Sequence, residues 1–157
     1  MSDRVAEALS ALRAQLAALE GVARSTSDAE WQRETAAERW PVGLVAFHIA
    51  RGFQRQAEFI EDALQRATPH RFDWDVTHAL NASIAAEHPS PSRDDVVALA
   101  RTSVGRIVTA LGAATDEGLG RTAWVFEGRE RDAVWVTGRL APQHARGHLE
   151  SIARAVG

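Results

Sequence analysis

The 157-residue chain contains no cysteine, no tyrosine and no lysine. Without cysteine there can be no disulfide, no thiolate metal ligand and no cysteine nucleophile, so any transition-metal site must be built from histidine and carboxylate. The lack of both tyrosine and cysteine leaves acid–base work to His78 and nearby carboxylates, and no catalytic residue is singled out. No stretch approaches the ~20 apolar residues that span a bilayer, and no apolar segment follows a basic start; a soluble, cytoplasmic protein without a membrane partner is expected. All 18 basic residues are arginine, scattered along the chain, and the formal net charge is −3. Nothing in that balance calls for nucleic acid as a partner.

What is present is apolar periodicity at helical spacing. Val5, Leu9, Leu12, Leu16 and Leu19 recur at steps of three and four and predict an amphipathic helix over 3–23. Ser27 and Glu30 match a capping box, in which each side chain satisfies the other's free backbone N–H, and a short helix should start there. From Pro41, a first-turn proline, the stripe Val42, Val45, Ile49, Phe53, Ala57, Ile60 and Leu64 predicts a long helix to about Arg66. After a connection at Thr68–Arg71, a helix from Asp73 or Asp75 to Glu87 would turn Val76, Leu80 and Ile84 inward, and His88 falls in the loop that follows. Ser92 opens the next helix, whose buried face is Val97, Ala100, Val104, Ile107, Val108 and Leu111.

Between 116 and 140 the helical period fails. Thr122–Phe126 and Ala133–Thr137 are β-prone runs that could pair as a hairpin, while a competing reading caps a helical turn at Asp132. Gly138 and Pro142 argue against an unkinked helix from Asp132 to the C-terminus, and Pro142 suits the first turn of a final helix. Trp124 and Trp135 look exposed, as a cover for one end of the fold or a dimer surface. Long helices with brief connections predict one all-α domain over 1–157, an up-and-down four-helix bundle with a short irregular or hairpin insertion before the last helix.

The final helix carries His144 and His148 four residues apart, on one face. That spacing lets two rings reach one cation at the ~2.0–2.1 Å of a Zn–N bond. Such pairs also arise by chance, or offset a helix dipole. A third histidine shifts the balance: His48 lies beside an apolar stripe, where an unpartnered ring would be costly, and Gly52 one turn on leaves space above it. The reading is a three-histidine centre with an open coordination position, for zinc or nickel among the metals that imidazole suits. Ala145 stands where zinc peptidases of the His-Glu-x-x-His type carry their glutamate, which removes that general base. His78 and Asn81, three apart on another helix edge, are candidates to line a pocket.

Trp40-Pro41-x6-His48, the Asp-rich entry to a helix containing Asn81, and His144-x3-His148-Leu149 together resemble the DinB/YfiT-like family over nearly the whole chain. The resemblance implies a four-helix bundle in which His48, His144 and His148 hold a divalent metal. Relatives include transferases that use a low-molecular-weight thiol, bacillithiol, mycothiol or glutathione, and a branch that isomerises maleylpyruvate with mycothiol. Arg51, just after the first histidine, and Pro142, early in the last helix, depart from the commoner pattern. The expectation is therefore a metal-dependent transferase joining such a thiol to a small electrophile. A metal-dependent hydrolase and a non-catalytic, metal-stabilised bundle that binds a small molecule or partner are the alternatives. A fourth protein ligand would mark the last of these. A homodimer suits bundles of this kind, although the apolar stripes are all consumed by a monomer core.

Overall fold

The computed structural model describes all 157 residues and is mostly helical, with one small sheet. Helix α1 spans Asp3–Ser25, α2 Asp28–Trp31, α3 Val42–Arg66, α4 Trp74–Glu87, α5 Arg93–Gly112, α6 Asp116–Leu119, α7 Ala133–Trp135 and α8 Ala141–Val156. Strands β1 (His70–Arg71), β2 (Thr122–Phe126) and β3 (Arg129–Asp132) form the sheet. No helix is long and apolar enough to cross a membrane.

Helix α3 is the axis of the core, packing on α1, α5 and α8. Its expected stripe is buried through Val42, Val45, Ile49, Phe53, Ala57 and Ile60. Each large apolar side chain removed from water there contributes about 1.5–3 kcal/mol. The stripe of α1 is likewise buried except for half-buried Leu16, and on α5 it is Val96 rather than Val97 that is fully enclosed. Side-chain caps define the helix starts: Asp73 Oδ1 accepts the Val76 N–H at 3.0 Å and Ser92 Oγ that of Asp95 at 3.0 Å. At Ser27 only half of the expected box forms. Its Oγ accepts the Glu30 N–H, while its hydroxyl donates to the Glu30 carboxylate instead of Glu30 reaching back to the backbone.

Helix α4 departs from expectation. None of its residues is buried; Val76 is exposed, and Leu80 and Ile84 are half-buried. The apolar edge exists, but it faces a cavity instead of the core. A 3.6-residue period records which side of a helix is turned inward, not whether the space it meets is filled.

Both readings of the 122–137 segment hold in part. A hairpin forms, but β2 pairs antiparallel with 129–132, not with 133–137. Glu127 and Gly128, both at positive φ, make the two-residue turn. Asp132 then caps the next helical turn, its Oδ1 accepting the Trp135 N–H at 2.8 Å. From Ala133 the backbone stays helical to Val156, passing through a π-helical stretch at Val136–Leu140 in which Ala141 N–H reaches back to Val136 O. That wider turn comes directly before Pro142, whose ring has no N–H to donate, so the irregularity takes the place of the expected break. Trp124 is 9% exposed and Trp135 half-buried, their rings 5.4 Å apart, so neither forms an exposed surface. The Thr68–Arg71 connection also contributes a strand: β1 lies parallel to β2, placing His70 beside Trp124.

Candidate metal centre

His48 leaves the second turn of α3, and His144 and His148 leave successive turns of α8. Because these helices pack side by side, the three rings meet, with centroids 4.6–4.9 Å apart. One ring nitrogen from each lies within 4.8 Å of the others. The Nε2 atoms of His48 and His144 are 3.1 Å apart. Two bonds of about 2.05 Å at a tetrahedral angle would separate their nitrogens by about 3.3 Å, so this pair has the spacing of two ligands on one ion. The space above Gly52 is taken by the partner histidine. A Cβ there would stand 2.7 Å from His144 Cε1, so only glycine lets that ring approach α3.

Burial first, then neighbouring His148, offset by the Glu38 charge, brings the His48 pKa down to about 4. Burial, then His48 and His148, brings that of His144 down to about 3. Both rings are therefore neutral at pH 7 and keep a lone pair for a cation. Three imidazole nitrogens are a donor set for a borderline divalent ion such as zinc or nickel.

A residue that sequence reasoning missed sets the third ring. Glu38 Oε1 accepts from His148 Nδ1 at 2.8 Å, and Glu38 Oε2 accepts the Ser151 hydroxyl at 2.6 Å. Burial works to raise the Glu38 pKa, but the bonds from Ser151, His148 and Thr35 outweigh it and the carboxylate sits below its ordinary value. An ionised carboxylate only accepts, so the proton is on His148 Nδ1 and Nε2 is left with its lone pair. Ligating histidines are commonly oriented by a carboxylate in this way. Glu38 is delivered by the turn between α2 and α3, pinned by Thr35 N–H to Trp40 O at 2.8 Å and by positive φ at Arg39. No periodicity marks it.

Above the histidines a cavity of about 520 Å³ opens between α3, α4 and the sheet. His78 and Asn81 stand on its α4 wall, with the Trp74 and His78 rings edge to face at 5.4 Å. Four buried polar atoms without a partner, Arg51 Nε, Gln56 Oε1, Trp124 Nε1 and His144 Nδ1, belong to residues of this wall. Gln56 is legible in principle: it stands eight residues after His48, the one polar residue on an otherwise apolar buried face.

A mainly helical fold with a small sheet, carrying three converging histidines on the floor of a pocket, defines the class. The chain belongs to the DinB superfamily, whose pattern matches residues 11–152. No curated protein matches the sequence. Among solved structures, a crystal structure of a histidine-to-alanine mutant of the mycothiol-dependent maleylpyruvate isomerase shares the fold, with a TM-score of 0.75 at 15% identity. The alignment covers 97% of this chain but 63% of that one, so the present chain spans less than two thirds of its neighbour's length.

Two outcomes follow from the geometry. Glu38→Gln should weaken zinc binding about 10–100-fold in a chelator competition assay while leaving the circular dichroism spectrum unchanged; wild-type affinity in this variant would disconnect Glu38 from the site. In metal-free protein, His48 and His144 bind protons more readily unfolded (about 6.5) than folded. Their burial therefore leaves stability intact above pH 6.5 and erodes it as pH falls through the folded values near 4 and 3. Urea midpoints of chelator-treated protein should be level from pH 8 to about 7 and fall steadily below about 6.5; a flat profile down to pH 4.5 contradicts the burial.

Proposed function

We propose that this protein is a divalent-metal-dependent transferase that joins a low-molecular-weight thiol to a small electrophile. The observation that carries the reading is the convergence of three imidazoles at the floor of a cavity large enough for a small molecule. Three protein ligands with a position left toward the cavity is the arrangement of catalytic rather than structural zinc sites. Glu38, the carboxylate beside the cluster, has both oxygens engaged by His148 and Ser151, which supports three protein ligands over four. The kinship with a fold that includes a mycothiol-dependent isomerase favours a thiol over water as the nucleophile's source.

Bound at these histidines, zinc or nickel supplies Lewis acidity that lowers the pKa of a thiol beside it. The chain's own contribution is to hold the rings and, at His148, to fix the tautomer. Glu38 and Ser151 lock His148; Gly52 admits His144 against α3; burial keeps His48 and His144 uncharged, so no imidazolium competes with the cation. Trp40, packed edge to face on His48 at 5.6 Å, shields that ring from water. His78 and Asn81, which line the same cavity, would orient a substrate there. In this reading the chain is a single domain whose core is an up-and-down four-helix bundle of α1, α3, α5 and α8. It acts in the cytoplasm on a small molecule, without nucleic acid or membrane, alone or as a homodimer.

Elemental analysis of untagged protein should find bound metal that is lost in His48→Ala and His148→Ala. The visible spectrum of a cobalt-substituted form should then shift on titration with mycothiol, bacillithiol or glutathione. Equal metal content in all three proteins contradicts the centre, and a cobalt spectrum indifferent to every thiol contradicts the transferase.

A further inference from the structure

The three histidines account for part of the cavity wall. Beside them, where the Gln56 amide and the His144 ring both lie against Gly52, the wall carries further polar groups. Gln56 is 5% exposed and Trp124 9%, yet Gln56 Oε1 and Trp124 Nε1 have no hydrogen-bond partner, and both residues line the cavity. Arg51 lines it too, with its buried Nε unpartnered. Buried polar atoms without a partner are uncommon in folded proteins, and three of the five in this chain belong to residues of this wall.

The wall's charge says what kind of ligand. Arg51 donates to the neutral Gln54, and the Arg55 guanidinium lies 5.2 Å over the Phe59 ring, so neither is committed to a carboxylate. Glu38, the one carboxylate on the wall, is consumed by His148 and Ser151. His70, its ring stacked on that of Phe59 with centroids 3.6 Å apart, is kept neutral by burial. The cavity therefore offers two guanidiniums without a carboxylate partner to anything that enters. Gln56 adds an amide, which pairs best with a group that both donates and accepts.

We propose that the stretch of cavity wall carrying Arg51, Arg55, Gln56 and Trp124, beside the histidine cluster, is a binding subsite for a small organic acid whose carboxylate sits on the guanidiniums and whose amide or hydroxyl pairs with Gln56. The apolar wall beside them, Phe72 and Trp124 included, takes the ligand's carbon skeleton. The subsite deepens the proposed function by naming the chemical class of its substrate or co-substrate. It rests on that reading for its purpose only, because none of its four residues belongs to the histidine cluster.

The test is calorimetric titration of the protein, both as purified and after chelator treatment, with sodium hippurate. This probe joins a carboxylate, an amide and an aromatic ring. Saturable one-to-one binding is expected in both forms. Hippurate methyl ester, without the charge, and benzoate, without the amide, should each bind about tenfold more weakly, the loss of one charge-assisted or buried hydrogen bond. Gln56→Leu should abolish the advantage over benzoate, and Arg51→Met should abolish the advantage over the ester. Absence of saturable heat, equal affinity for acid and ester in the wild type, or binding only by the metal-loaded form would each overturn the subsite. The comparison of probes on wild-type protein stands even where a variant does not fold. Metal content is measured separately, so loss of the centre and loss of the subsite give different results.

Discussion

The structure turns on one requirement: three imidazole rings, taken largely out of water, have to face one another, with the two deepest of them, His48 and His144, neutral. Desolvation supplies the neutrality, as the depressed values for His48 and His144 record. Facing one another needs more, because Nε2 atoms 3.1 Å apart repel unless a proton or a cation lies between them. The close approach is imposed by packing. Helices α3 and α8 are held together by the shared core, Gly52 removes the Cβ that would keep His144 away, and Glu38 with Ser151 clamps His148 from the far side. Remove any one of these supports and the rings have no reason to converge.

The irregular parts of the chain serve the same end. The π-helical stretch at Val136–Leu140 comes one turn before His144, and Gly138 within it lets the backbone come against Ala8 of α1, where a Cβ would stand 2.9 Å from that residue's own. A π-turn inserts an extra residue into the helical spiral and so rotates everything after it. The last helix thus reaches the site with its histidine face set by a local defect rather than by the regular period alone. At the other end of the cluster, the non-helical turn carrying Glu38 crosses to α8, linking residues 110 apart in sequence through a single carboxylate.

Much of this is legible in the amino-acid sequence. The stripes on α1 and α3 fall on buried or half-buried residues throughout, because amphipathic period and burial follow from the same geometry, although α3 also buries Leu44 and Phe47 beside its stripe. The His144–His148 spacing and the apolar setting of His48 point at the cluster for chemical reasons. What escapes such a reading is anything that depends on tertiary placement. Glu38 sits in a turn with no periodicity. Helix α4 carries an apolar edge that meets empty space, and a cavity leaves the same pattern as a core. The hairpin and the Asp132 cap look like alternatives, although a four-residue second strand leaves room for both. The π-stretch is invisible because helix-breaking residues announce a disturbance without saying which one.

The cavity and the cluster are parts of one design. Four of the five buried polar atoms without partners lie on residues lining the cavity above the histidines, so polar satisfaction is withheld there and met nearly everywhere else. The most direct test of the central claim is anomalous diffraction at the zinc edge from crystals of the zinc-loaded protein. A single peak within bonding distance of one nitrogen from each of His48, His144 and His148, with no other protein atom coordinating, is the result the account predicts. A peak elsewhere, or one coordinated by a fourth side chain, would contradict it.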